Sequence, residues 1–456
     1  MPRTIFVTSF HVLISRNILA TAVFRGLSAD PGVRVVLFVP ATKQGYFTAT
    51  FGGPNVTVEG VRLELSRREL LLRALALAAL ASRTLRIKRR AEFAATGNFA
   101  KFLAKEALAF LCGGRGWARR MLWWLDRMLA PTSVADTYVE RYRPALVFST
   151  DIQNELDLQF ARSARRHGVR VVAMVRSWDN LTAKGVLRFI PDALAVGSDG
   201  VHREAVALDG VDPARVHIVG IPHYDSYRSE ALTPREAFLR STGLDPGGRL
   251  VLIAPVGDRY ICEFQRACHN RTDRAILDAL LDARANGLLP SDVQFLIRLP
   301  PADTVNLDGF MPPRGTAIEQ PGVGAGSSGI KERELSRDDD RRLITSLVYA
   351  AAVVTGPSSM AVDAARFDRP IIIPTFDAES RPYPLSLRRF YDYDHFRPIM
   401  ESGGAAVAHS PEELAAAVGA ALAHPEDGRD GRRRIVSETC GADDGRASER
   451  LLALLL

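Results

Sequence analysis

Cysteine is scarce, with four in 456 residues, and the four form neither a CxxC pair nor any other metal-ligand spacing. A disulfide scaffold and a structural zinc site are therefore not expected, and reduced, mostly buried thiols are. Long apolar runs are missing too: Arg73 interrupts the best candidate, 70–81, well short of the ~18 residues of a spanning helix. The first residues, Met1-Pro-Arg-Thr-Ile-Phe-Val, lack the apolar stretch of a secretory leader and read as a strand. A cytoplasmic location, or the cytoplasmic face of a membrane, is expected. Charge of one sign is also lacking over most of the chain. Of 59 basic and 52 acidic residues, eight basic residues and one acid fall within 67–90, leaving 51 of each elsewhere. A nucleic-acid groove would spread its excess more widely, so no nucleic-acid partner is expected.

What the chain does have is alternation. Short β-branched runs at 4–8, 33–39, 55–58, 145–149, 169–175, 193–196 and 216–219 are separated by helix-length segments. A second series runs 250–256, 293–299, 316–319, 352–355, 370–374 and 405–408. Continuous apolar runs of this length fit parallel strands covered on both faces. The pattern predicts an α/β protein of two doubly wound, Rossmann-like domains facing a cleft. The expected boundaries are 1–228, with a helical insert at 66–143, then 229–425, then a helical tail 426–456 crossing back to the first domain. A hinge is placed near 225–233, and the glycine-rich stretch 322–329 reads as a flexible loop.

In such sheets ligands bind beyond the carboxyl ends of the strands. Thr355-Gly356-Pro357-Ser358-Ser359 joins a strand to a helix, so backbone N–H groups and two hydroxyls converge where a diphosphate would sit. Asp363, four residues after Ser359, shares its helical face and suits a ribose diol; Ser358 as an ordinary helix cap is the plainer alternative. The loop Arg176-Ser177-Trp178-Asp179-Asn180-Leu181-Thr182-Ala183-Lys184-Gly185 holds two cations and an acid after a buried strand. Asp179 is a candidate general base for an acceptor hydroxyl, with Arg176 and Lys184 steadying phosphate charge. His11, beyond the first strand, has the side chain best suited to proton transfer near neutrality. Arg16, Arg259 and Arg298 follow strand ends and could reach the same diphosphate. The acids Asp338-Asp339-Asp340 read as the solvated start of a helix. Tyr391-Asp392-Tyr393-Asp394-His395-Phe396 could line the sugar pocket or be a loop anchored by Tyr393 and Phe396, the second being the reading preferred. No metal and no cofactor are expected.

The run 355–365 with Asp368-Arg369-Pro370-Ile371-Ile372-Ile373-Pro374 resembles the C-terminal nucleotide-sugar signature of glycosyltransferases with the B-type fold. The segments 176–185, 191–198 and 219–225 resemble a bacterial surface-polysaccharide branch of that fold. This branch lies near the CDP-glycerol glycerophosphotransferases and the non-hydrolysing UDP-sugar 2-epimerases. The resemblance implies a UDP-sugar or CDP-linked donor, a ribose contact at Asp363, a base after the first strand at His11, and a nucleobase near Glu319. It also implies a hydroxyl acceptor, such as a lipid-linked glycan. Arg298-Leu299-Pro300-Pro301 resembles the branch's R-x-H-P loop with Leu299 replacing His, so no role of that His carries over. The expected activity is metal-independent glycosyl transfer from a nucleotide diphosphate donor. The alternatives are a CDP-glycerol-type phosphotransferase, a UDP-sugar 2-epimerase, and a non-catalytic nucleotide-sugar sensor.

Within 67–129 the basic residues alternate with Leu and Trp. An anionic membrane surface is one expected partner of this stretch; an intramolecular or subunit contact is the other.

Overall fold

The computed structural model describes residues 2–62, 64–265, 271–324 and 333–456; the side chains of Ser133, Ser229 and Arg259 are outside that description. The expected α/β class holds, and each of the thirteen apolar runs is a strand.

The first sheet contains β1 (Arg3–Thr8), β2 (Val33–Pro40), β3 (Val56–Val61), β4 (Leu146–Ser149), β5 (Arg170–Met174), β6 (Ala193–Val196) and β7 (Val216–Ile218). Its order is β3-β2-β1-β4-β5-β6-β7, and every pairing is parallel. The second domain contains β8 (Arg249–Ala254), β9 (Val293–Arg298), β10 (Thr316–Glu319), a small hairpin of β11 (Val323–Gly324) with β12 (Arg333–Glu334), then β13 (Ala350–Thr355), β14 (Ile371–Pro374) and β15 (Ala405–Ala408). The large sheet there runs β10-β9-β8-β13-β14-β15. The strand order reverses between β1 and β4 and again between β8 and β13. At each reversal the flanking helices leave on opposite faces and open a crevice at the carboxyl ends. Strand β11 falls in the expected glycine-rich loop 322–329, whose residues 325–329 lie outside the described set.

The helices that matter for the site are α1 (Ala22–Ala29), the insert α2 (Arg67–Ala79), α3 (Arg83–Thr96), α4 (Phe99–Cys112) and α5 (Gly116–Leu129), then α6 (His223–Ser229), α7 (Arg337–Tyr349), α8 (Met360–Arg366), α9 (Arg429–Cys440) and α10 (Ala447–Leu455). The basic segment 67–90 is built into two helices, α2 and α3. Leu80 is extended after α2, and the Ser82 hydroxyl accepts the Leu85 N–H to restart the chain as α3. A serine that can satisfy orphan amides makes a break there cheaper than continuation.

The tail binds the first domain: Leu451 and Leu455 of α10 join the core of β1, β2 and α1. Asp225 accepts the Ala447 and Ser448 N–H groups at the start of α10. Tyr224 and Tyr227 of α6, in contrast, sit in the second domain's core with α8. Helix α3 also spans the domains. Ile87 packs into that same core, Asp394 accepts from the Thr84 N–H and hydroxyl at 2.8 and 3.0 Å, Arg83 pairs with Asp392, and Lys88 lies 3.2 Å from Glu263. Much of the basic excess is thus spent inside the molecule. One cysteine departs from expectation: Cys262 is disulfide-bonded, while Cys112 and Cys440 are free and buried.

Candidate active site

The two crevices face each other and merge into one cleft of about 480 Å³. It is lined by His11, Arg16, Arg176 and Asp179 from the first domain, and by Arg298, Ser358, Ser359 and Asp363 from the second.

The first-domain wall is organised by a residue that the sequence reading missed. Asp151, two positions beyond β4 and 1% exposed, accepts from Arg176 Nε at 2.8 Å and from Asn180 Nδ2 at 3.4 Å. Lys184 Nζ lies 3.6 Å away. Burial opposes its charge, but Lys184 and Arg176 outweigh burial and hold the carboxyl below its ordinary range. Beneath it, Asp157 accepts from Thr8 Oγ1 and from the Asp151 N–H at 3.3 Å, joining the ends of β1 and β4. Burial and the Asp151 charge push its pKa up to about 7.

Asp179 sits at the start of the helical turn Asn180–Ala183 with no capping bond from its side chain; its carboxylate is hydrogen-bonded by Ser177 and lines the cleft. Burial raises its pKa, but His395, Arg176 and Lys184 overcome this and bring it down to about 2. His395, from the aromatic-acidic patch, lines the cleft, in line with one of that patch's two readings. It packs edge-on to Trp178 with ring centroids 5.2 Å apart and meets Thr182 Oγ1 at 3.3 Å. The patch around it is anchored as expected: Tyr393 and Phe396 are buried.

His11 does not have the chemistry of a general base in this arrangement. Burial, then Arg176, lowers its pKa to about 3, so the ring is neutral at physiological pH. Its Nδ1 accepts the Leu13 N–H at 3.2 Å. The lone pair is thereby occupied, and the ring proton falls on Nε2, a donor.

On the second wall, Gly356 permits close packing: a Cβ there would lie 2.8 Å from Val256 Cγ1, a cleft side chain. Ser358 Oγ accepts the Met360 N–H at 3.3 Å, a long capping bond, whereas Ser359 makes no side-chain capping bond and is exposed. Asp363 is buried and accepts from the Tyr227 hydroxyl at 3.3 Å. Burial raises its pKa, with Arg16 opposing. Arg16 reaches across from the first domain. Burial works against its charge, yet Tyr227, Asp340 and Asp363 prevail and raise its pKa. Asp340 corrects the expectation of a solvated acidic run. Asp339 completes a capping box with Ser336, but Asp340 turns into the cleft. Burial drives its pKa up to about 6 against Arg16 and Arg298.

Among the described residues, Glu319, Lys184 and Gly356 are expected site residues that do not line this cleft. Glu319 pairs with Arg298 and Arg342; it holds Arg298, which also donates to the Asp339 carbonyl at 2.9 Å. Lys184 faces a second cavity of about 560 Å³, which shares His11 with the cleft, is also lined by Asp151, and is roofed by Arg73, Ala76 and Leu77 of α2. The Arg259 side chain lies outside the described residues. Among the described residues, no three His, Cys, Asp or Glu side chains group as metal ligands.

Two parallel α/β domains meeting switch point to switch point define the B-type glycosyltransferase fold. The family of CDP-glycerol:poly(glycerophosphate) glycerophosphotransferases matches the chain over residues 331–456. Among solved structures, the UDP-GlcNAc 2-epimerase from Neisseria meningitidis bound to UDP-GlcNAc superposes with a TM-score of 0.55 at 8% identity, covering 99% of each chain. The S. aureus MnaA structure with UDP gives 0.55 at 10% identity, covering 99% of this chain and 96% of that one. The wall teichoic acid polymerase TagF gives 0.50 at 13% identity, covering 100% of this chain and 89% of that one. No curated protein matches by sequence. The chain is therefore similar to the surface-polysaccharide branch its motifs resemble: to the glycerophosphotransferases by sequence over its last part, and to the epimerases by fold.

Proposed function

We propose that the chain is a glycosyltransferase that moves a sugar from a nucleoside-diphosphate donor to a hydroxyl acceptor in cell-surface polymer synthesis. The observation that carries this reading is the convergence of Arg16, Arg176 and Arg298, from both domains, on one cleft with Ser358 and Ser359. Guanidinium groups and hydroxyls in that arrangement supply the positive charge that a departing diphosphate requires. The nucleoside rests toward Asp363, with a ribose hydroxyl donating to its carboxylate.

The acceptor approaches from the first domain through the second cavity, between α2 and the 151–158 segment. Its hydroxyl oxygen bonds to the anomeric carbon as the bond from that carbon to the diphosphate oxygen breaks. The electron pair leaves with the diphosphate, and the proton passes to Asp179. At a pKa of about 2, Asp179 by itself is a weak base. A diphosphate seated against Arg176 offsets the cations that depress it, so donor binding itself raises basicity. His11 orients an oxygen of acceptor or donor through Nε2–H. Closure about residues 225–233 excludes water that would compete with the acceptor.

A second reading, phosphotransfer, is favoured by the family match over residues 331–456. There the acceptor attacks phosphorus and a nucleoside monophosphate leaves, so the released nucleotide separates the two. A thermal-shift screen of nucleotides and nucleotide sugars, with Ser359→Ala and Arg298→Ala as controls, tests the donor site. A nucleoside diphosphate should raise the melting temperature of wild type more than that of either variant. If no nucleotide does so, or the variants respond like wild type, the donor assignment is wrong.

A further inference from the structure

Helix α5 is held rigidly on its inner side. Ala118, Leu122 and Asp126 are buried, Arg162 donates from Nε and Nη2 to the two Asp126 oxygens at 2.8 and 2.5 Å, and Trp123 Nε1 donates to the Leu187 carbonyl at 2.8 Å. That fixes what the opposite side presents. Trp117, Met121, Trp124 and Met128 recur every three or four residues and are exposed, Trp124 by 61% and Met128 by 63%. Arg120 and Arg127 are interleaved with them and are exposed as well. The preceding helix, α4, adds Phe99, Leu103 and Phe110, the last 76% exposed. Rows of large apolar side chains of this extent mark a surface that is covered in use.

Charge says by what. Residues 97–129 contain six basic residues and two acids, Glu106 and Asp126. Both acids are turned to internal partners, Arg89 and Arg162. Lys101 and Lys105 pair with Glu92 of α3, which leaves Arg115, Arg120 and Arg127 exposed, so a second copy of the chain would bring arginines against arginines. An anionic lipid surface complements the stripe, with Trp and Met entering the headgroup region and Arg meeting phosphate.

We propose that the outer face of α4 and α5, rather than the basic helix α3, is a membrane contact selective for anionic lipid. Helix α3 is excluded because Arg83, Thr84, Ile87 and Lys88 are engaged by the second domain. The assignment is independent of the donor-site reading. It places the mouth of the second cavity, under neighbouring α2, on the insert that touches lipid, as a lipid-linked acceptor requires.

The test is co-sedimentation of the full chain with vesicles of phosphatidylglycerol and phosphatidylcholine, or of phosphatidylcholine alone, at low and high salt. Wild type should pellet with the anionic vesicles and lose that binding in high salt. Trp124→Ser with Met128→Ser should lower the partition coefficient at least about tenfold, and Arg120→Gln with Arg127→Gln should abolish the preference for phosphatidylglycerol. The nucleotide-induced thermal shift should remain as in wild type for both variants, which separates a failure here from a failure of the donor assignment. The proposal is overturned if wild type stays in the supernatant, or if the Trp124/Met128 variant pellets equally. It is also overturned if sedimentation velocity shows a wild-type dimer that this variant converts to monomer.

Discussion

The two walls of the cleft share a strand order and differ in how they hold charge. On the first-domain wall, a single buried carboxylate, Asp151, ties Arg176, Asn180 and Lys184 into one network. On the second, Arg298 is fixed from behind by Glu319 and the Asp339 carbonyl, while the hydroxyl of Ser359 is left toward the cleft. One wall ties its cations to a single buried carboxylate; the other fixes its guanidinium from behind and turns the Ser359 hydroxyl outward. This division suits a reaction in which a neutral hydroxyl must be aimed and an anion must be received.

The contrast can be broken most severely at Asp151. Asp151→Ala leaves Arg176 without its buried partner, and removing one member of a buried pair costs ~3–5 kcal/mol. The melting temperature should fall, with transfer activity reduced on the order of a hundredfold or more. Asp151→Asn keeps the shape and should lose less stability while activity still falls. Equal stability of wild type and Asp151→Ala would refute the hub.

Glu319→Gln should act only on the second wall. With Arg298 less firmly held, nucleotide affinity should drop about tenfold, roughly 1.4 kcal/mol, by calorimetric titration. The acceptor KM should stay unchanged; a change in acceptor KM alone would place Glu319 elsewhere in the mechanism.

His11 sharpens the comparison through pH. Its folded-state pKa is depressed to about 3 against an ordinary value near 6.5. Between these values the unfolded chain holds the proton that the folded chain refuses, so this contribution to stability is complete above pH 6.5 and is lost as pH falls. His11→Gln should flatten the acid limb of a melting-temperature profile. Because His11 is already neutral, a transfer rate measured between pH 6 and 8 should show no titration attributable to it; an inflection that disappears in His11→Gln would restore it as the base.

The smallest effect is expected at Asp157, whose pKa of about 7 gives the opposite sign. From about pH 4 to 7 the folded chain keeps a proton that the unfolded chain has released, so its stabilising contribution declines as pH rises through that window. Asp157→Asn should be flatter there and comparatively more stable at pH 8 than at pH 5.

The strands were legible because each apolar run is local and its period unambiguous; all thirteen appear with ends shifted by at most a few residues. The cleft loops were legible for the same reason, since each begins where a strand ends. Asp151 was not. In sequence it is one acid among turn-forming neighbours, and its importance comes from Arg176 and Lys184, which only parallel pairing of β4 and β5 brings close. Asp340 was misread because three consecutive acids at a helix start share a plain explanation, and only helix phase separates the one that turns inward. His11 was correctly seen as lying beyond a strand. Its protonation state depends on a backbone amide and on cations from another loop, and those are invisible in a linear reading.

The scarcity of one-signed charge outside residues 67–90 was settled by the sequence alone, as were the two α/β halves and the absence of a long apolar run. Among the described residues no helix is long and apolar enough to cross a membrane. What became of the basic segment was decided in three dimensions. Ser82 splits it, α3 is drawn onto Asp392, Asp394 and Glu263, and the exposed apolar stripe appears on α5 instead. Composition counts charges, but whether a charge is free depends on which carboxylate the fold sets beside it.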